Sequence, residues 1–169
     1  MWTWGIIVLI MLSLVGSMMW AMPSPREKAQ ALLRSKARTL GLHVQLVRLT
    51  APRATGEFEE EEYERAAYRQ QRSGLSAAQR ERLVPWQVFR LRSLACDGLP
   101  DGWSWKQGEG VLTPAQLATL ADLLPALPED VVALESTPIH VSAFWRERGG
   151  VDALETIRAA LQRIASQGF

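Results

Sequence analysis

Residues 131–146 read VVALESTPIHVSAFWR, two short apolar runs parted by Pro138. The proline breaks any continuous helix through the stretch, and the runs are rich in β-branched and aromatic residues. In the second run Ile139, Val141, Ala143 and Trp145 alternate with His140, Ser142 and Phe144. That two-residue period sends one set to each face of a sheet. The stretch predicts two strands, 131–137 and 139–146, placed to pair with each other.

Downstream, Gly149-Gly150 interrupt the pattern, and Leu154, Ile157, Leu161 and Ile164 recur at helical spacing. Asp152 and Glu155 stand three apart, which predicts a capping box opening a last amphipathic helix. Upstream, Thr113-Pro114-Ala115-Gln116 carries the same start signal, Leu117, Leu120 and Leu124 share a face, and Pro125 should stop that helix. Residues 103–106 (WSWK) predict a short strand with both indoles on one side, and 86–92 (WQVFRLR) a strand behind Pro85. Ser76 caps a short helix, and Asp97-Gly98 and Asp101-Gly102 mark turns around Cys96. Residues 42–49 (LHVQLVRL) alternate as a strand, 50–56 form a loop, and 65–72 (RAAYRQQR) suit strand or helix. No internal repeat is evident. The expectation is an α+β domain of three to four helices around a mixed or antiparallel sheet.

The N-terminus is of another kind. From Trp2 to Pro25 no side chain is ionisable, and at about 1.5 Å per residue such a run spans a bilayer core of roughly 30 Å. Trp2, Trp4 and Trp20 sit where interfacial indoles belong. Arg26, Lys28, Arg34, Lys36 and Arg38 follow, against Glu27 alone. Cations flanking one end of a span are retained in the cytoplasm, which predicts a single-pass protein with its N-terminus out and its body in. These cations scatter around the helix, so orientation is their first role and lipid contact the second. Cleavage of a secretory signal is the alternative, but no Lys or Arg precedes the apolar run and the small residues of a cleavage site are poorly placed. Ser13, Gly16 and Ser17 give a small-xxx-small spacing through which two spans can associate into a homo-oligomer.

Ser24, Pro25 and Glu27 form a further start signal, and Gly41 a stop, so a juxtamembrane helix should follow the span at once. Its stripe Ala29, Leu33, Ala37 and Leu40 reads as packing against the chain's own domain. The expected organisation is an anchor over 1–23, the juxtamembrane helix over 24–41 and a cytoplasmic domain over 42–169.

The 169 residues carry 19 Lys+Arg and 18 Asp+Glu, a net charge of +1 that gives no field to hold nucleic acid. The one cysteine, Cys96, closes no intrachain disulfide. Two isolated histidines, His43 and His140, and that cysteine fall short of a metal-ligand set. No nucleophile elbow, phosphate loop or dinucleotide fingerprint is present. No catalytic residue, metal, cofactor or small-molecule ligand is therefore expected. The alternative enzymatic reading is a membrane-tethered domain using Cys96 with His43 or His140, and it needs the fold to bring them together. Residues 57–64 hold six glutamates around Phe58 and Tyr63. Glu59, Glu60, Glu61 and Glu62 read as a solvated acidic segment or as a docking site for a basic partner. Trp103 and Trp105 read as core, or as anchors of a protein interface.

At Trp20–Lys28, the single span, the exit through Pro23 and Pro25 and the charged helix opening Arg26-Glu27-Lys28 resemble the single-span auxiliary subunits of the bacterial preprotein translocase (YajC type). The resemblance covers about 25 residues of layout, and the exit Met22-Pro23-Ser24-Pro25 departs from that family's glutamine-bearing one. It implies a bacterial inner-membrane accessory protein and carries over no functional residue. The expected function is thus a non-catalytic module of a membrane complex, working through a protein partner.

Overall fold

The computed structural model describes residues 2–20, 24–56 and 61–169, with the backbone alone over 17–20. The chain divides into two compact units, Met1–Leu32 and Leu33–Phe169, the boundary falling inside one helix.

The first unit begins with α1, Trp2–Trp20. Its described apolar side chains from Ile6 to Val15 are between 49 % and 70 % exposed, on every side of the helix. Among the described residues no helix is long and apolar enough to cross a membrane. The side chains of α1 are described only from Trp2 to Gly16, about 22 Å at 1.5 Å per residue, short of a bilayer core. The expected anchor over 1–23 therefore lies partly outside the described residues. Helix α2, Pro25–Thr39, starts as its sequence dictates. Glu27 Oε2 accepts from the Ser24 N–H at 2.6 Å while the Ser24 hydroxyl accepts from the Glu27 N–H at 3.3 Å. These bonds, the backbone one first, hold the Glu27 carboxyl below its ordinary pKa. Behind α2, Gly41 takes the left-handed φ of 82° that a helix stop requires.

The second unit is a six-stranded antiparallel sheet in the order β1-β2-β6-β5-β3-β4. The strands are β1 His43–Thr50, β2 Glu62–Gln71, β3 Trp86–Phe89, β4 Ser104–Gln107, β5 Val131–Ser136 and β6 His140–Trp145. Helix α3 is Ala77–Glu81, α4 Pro114–Ala126 and α5 Val151–Gln167. The α+β class thus stands, with four helices after α1 and a purely antiparallel sheet. The stretch left open at 65–72 is strand over most of its length. Its alternation of Ala66 and Tyr68 with Ala67 suits a central strand, paired with β1 on one side and β6 on the other.

One sheet face is roofed by helices. Leu154, Ile157, Leu161 and Ile164 of α5, Leu120 and Leu124 of α4, and Leu33 and Ala37 of α2 enclose a core with Tyr68, Trp86, Val88, Leu134, Val141 and Trp145. Tyr68 meets the Trp145 ring edge-on at 5.2 Å, a favoured aromatic geometry. Of the expected α2 stripe, Leu33 and Ala37 are buried, Leu40 is half-buried and Ala29 is exposed.

Three local expectations are corrected. The capping box Asp152/Glu155 does not form, because the helix starts two residues earlier, behind Gly150, with no side-chain cap. Gly149 must be glycine there, since a Cβ would fall 2.6 Å from the Ala153 Cβ. Pro125 does not stop α4 but lies in its last turn, and the helix ends at Ala126. The strand expected over 86–92 ends at Phe89. The boxes at Ser76/Gln79 and Thr113/Gln116 both form.

Candidate functional site

The sheet face opposite the helices carries a polar row. Cross-strand register sets His43, Arg69, Ser142, Glu135 and Gln87 in one row across five strands. The neighbouring row is Gln45, Ala67, Phe144, Ala133 and Phe89. The second row is closed over by a small apolar cluster with Leu49, Ala51 and Val132. Val132 joins it because a bulge between Val131 and Ala133 breaks the alternation of β5. The connection after β1 crosses this end, with the Thr55 N–H donating to the Arg92 carbonyl at 2.8 Å.

The first row stays open. Arg69 Nη1 donates to Gln45 Oε1 at 2.8 Å, and Arg65 lies over the Tyr63 ring at 4.3 Å. His140 Nδ1 lies 3.2 Å from Thr137 Oγ1 and 3.3 Å from Ser142 Oγ. Burial, then the Arg69 charge, push the His140 pKa below its ordinary value, so the ring is neutral at neutral pH. Ser142 is fully buried, so its hydroxyl meets no substrate. The row offers hydrogen-bonding groups and no assembled nucleophile.

A second constellation lies among the helices. Arg34 Nε and Nη2 donate to Glu147 Oε1 and Oε2 at 2.7 and 2.6 Å, and the Tyr68 hydroxyl donates to Oε1 at 2.7 Å. This fork-to-carboxylate geometry is the strongest form of ion pair. Glu147 is 7 % exposed and adopts a φ of 55°, a strained backbone for a residue other than glycine. Burial first, and then the bond to Glu147, drive the Tyr68 pKa far upward. The bond to Glu147 raises that of Arg34. The arrangement fixes α2 residues to the sheet and is structural.

Arg72 forms a third. Its guanidinium donates to the Thr137 carbonyl at 3.0 Å, the Ala165 carbonyl at 3.1 Å, Ser136 Oγ at 2.7 Å and the Phe169 carbonyl at 2.6 Å. Desolvation lowers its pKa, while the last-turn carbonyls of α5 favour a cation. Arg90 does the same behind α4, donating to the Leu127 and Pro128 carbonyls and lying 4.9 Å from the Trp103 ring centre. Nothing in the sequence around Arg72, Arg90 or Glu147 set them apart, and nothing pointed Arg34 to Glu147, because each acts on residues far along the chain.

The residues singled out by sequence fare unequally. Trp2 and Trp4 are 89 % and 73 % exposed, and the Trp20 side chain lies outside the described residues. Arg26, Lys28, Lys36 and Arg38 are exposed. Arg34, expected among the orienting cations, pairs with Glu147. Glu61 and Glu62 are exposed, and Glu59 and Glu60 lie outside the described residues. Trp103 and Trp105 are 4 % and 3 % exposed and belong to the helix-side core. Their core reading holds, and burial removes them as interface anchors.

Cys96 is exposed and lines a cleft of about 210 Å³ with Arg92, Leu99, Asp101 and Trp103. Neither histidine lines that cleft. A wider opening of about 470 Å³ lies between Glu129, Asp130, Arg146, Arg148 and Gly149. Asp130 is already engaged there, its carboxylate accepting the Arg148 N–H at 2.7 Å and its carbonyl the Arg146 N–H at 3.0 Å. Among the described residues no group of His, Cys, Asp or Glu could hold a metal ion. No family model matches the chain, and no curated protein or solved structure matches it.

Proposed function

We propose that the chain is a non-catalytic, single-span protein of a bacterial inner membrane. Its N-terminus is outside, and its α+β domain serves as a cytoplasmic interaction module of a membrane complex. The observation that carries this is the exposure of α1. Its apolar side chains from Ile6 to Val15 are half-exposed or more on all sides. A helix that is hydrophobic all round needs lipid or a deep core about it. The uncharged run to Pro25 supplies the remaining length, and the cations behind it supply the orientation. The layout resemblance to translocase auxiliary subunits fits the same setting.

The domain supports an interaction role through its open sheet row, where His43, Arg69 and Glu135, with Gln45 alongside Arg69, offer hydrogen bonds to a partner. Two measurements test the reading. The full chain should pellet with membranes, resist an alkaline carbonate wash and dissolve only in detergent. A phosphatase that works only outside the cytosol, fused after Phe169, should stay inactive while a fluorescent protein at the same place glows. Recovery in the soluble fraction, or an active phosphatase, would end the proposal. A stoichiometric partner should co-purify in mild detergent, and be lost on Arg69→Glu.

A further inference from the structure

The two edges of the sheet are guarded differently. The edge strand β4 has four residues, a register irregularity against β3 and left-handed glycines at Gly102 and Gly108 just outside it. The other edge strand, β1, runs eight residues with an unbroken register against β2 and no proline. Short or bulged edges resist pairing with another chain, whereas long regular ones invite it.

The outward groups of β1 can be identified. The Ala51 N–H donates to the Glu61 carbonyl at 2.9 Å, continuing the register in which Thr50 faces Glu62. Narrow pairs alternate along an antiparallel ladder, so His43, Gln45, Val47 and Leu49 exchange their backbone bonds with β2. Val44, Leu46, Arg48 and Thr50 then turn theirs outward. In the middle of that outward set Leu46 is 52 % exposed, a large apolar side chain on an unpaired edge.

We propose that this edge pairs antiparallel with the same edge of a second copy of the chain, with Leu46 on the two-fold axis. The occupant is argued from complementarity. In this register Leu46 faces Leu46 of the second copy and Val44 faces Arg48, so no like charges meet. Arg48 keeps Glu64 beside it on β2. The adjacent register, centred on Val47, also closes a two-fold pair but brings the two Arg48 side chains onto a diagonal, which repels them. The favoured pairing makes three narrow pairs, each exchanging two backbone hydrogen bonds, covers the exposed leucines and joins two six-stranded sheets into one. A two-fold contact closes on itself, so it ends at a dimer and not a fibre. It does not require the membrane reading, though confinement to a bilayer would strengthen it.

The test uses the full chain in mild detergent with Cys96→Ser as background. Leu46→Cys places two thiols across a narrow pair, with Cα atoms about 5.5 Å apart and within disulfide reach. Mild oxidation should cross-link it at least about tenfold faster than Leu94→Cys, a control whose parent side chain is 95 % exposed. Leu46→Pro deletes an outward N–H and an exposed side chain, changes an edge strand tolerates, so the near-ultraviolet dichroism of the tryptophans should persist while the dimer, weighed by native mass spectrometry, falls to monomer. Equal cross-linking rates, a dimer undiminished by Leu46→Pro with native dichroism, or cross-links to a different protein would each overturn the inference. A monomer that fractionates with membranes would overturn it and leave the proposed function standing. A cross-linked dimer in the soluble fraction would do the reverse.

Discussion

The same strands present two unlike faces. Toward the helices, Tyr68, Trp86, Val88, Leu134, Val141 and Trp145 are at most 1 % exposed. Toward solvent, the row through Arg69 and Glu135 is half-buried or exposed save for the small Ser142. Alternation along each strand divides the labour. The covered face supplies most of the burial and hence the stability, while the open row contributes little to it and can be altered without unfolding the domain.

Substitutions can break or sharpen that contrast. The largest effect should come from Trp145→Ala, which empties a site walled by Tyr68 and the helix roof. The expected loss is about 3–5 kcal/mol, seen as a lower urea midpoint. Next comes Glu147→Ala, which strands Arg34. A fully buried broken pair costs about 3–5 kcal/mol, but the Arg34 side chain is 30 % exposed and can rehydrate, so about 2–3 kcal/mol is expected. Third is alkaline pH. The folded Tyr68 pKa is raised, so the folded state holds its proton more tightly than the unfolded chain. The associated stability is complete below the ordinary phenol value of about 10 and falls as pH rises beyond it. Tyr68→Phe should remove that dependence between pH 10 and 11. Were the loss unchanged in Tyr68→Phe, another group would be its source.

The open face should respond least. Arg69→Ala should lower the unfolding free energy, read from urea titration, by no more than about 0.5 kcal/mol, and a larger loss would mean that the row serves the fold after all. His140 gives the smallest signal. Its folded pKa is lowered, so its contribution is complete above the ordinary histidine value of about 6.5 and lost as pH falls toward the folded value. His140→Gln should flatten that acid limb.

What the sequence made legible was local. The boxes at Ser24, Ser76 and Thr113, the stop at Gly41 and the alternation of β6 depend on neighbours a few residues away, and each formed. The box at Asp152 failed although its letters fit, because Gly150 could open the helix earlier. RAAYRQQR was ambiguous because a central strand is read by both its neighbours, and these lie 18–26 positions before it in β1 and 69–79 after it in β6. The pairings of Arg34, Arg72 and Glu147 were silent for the same reason. Their partners are 113, 97 and 79 positions distant. The open row, too, exists only in the register of five strands.

Arg72 is made early and its acceptors late. The Ala165 and Phe169 carbonyls emerge 93 and 97 residues after it, a wait of about 5–20 s at ordinary elongation rates. Until then the guanidinium has only part of its shell, and closing the sheet over it would strand a cation. A nascent chain arrested before residue 165 lacks these acceptors, so its second strand should be cut by protease where the chain through Phe169 is not.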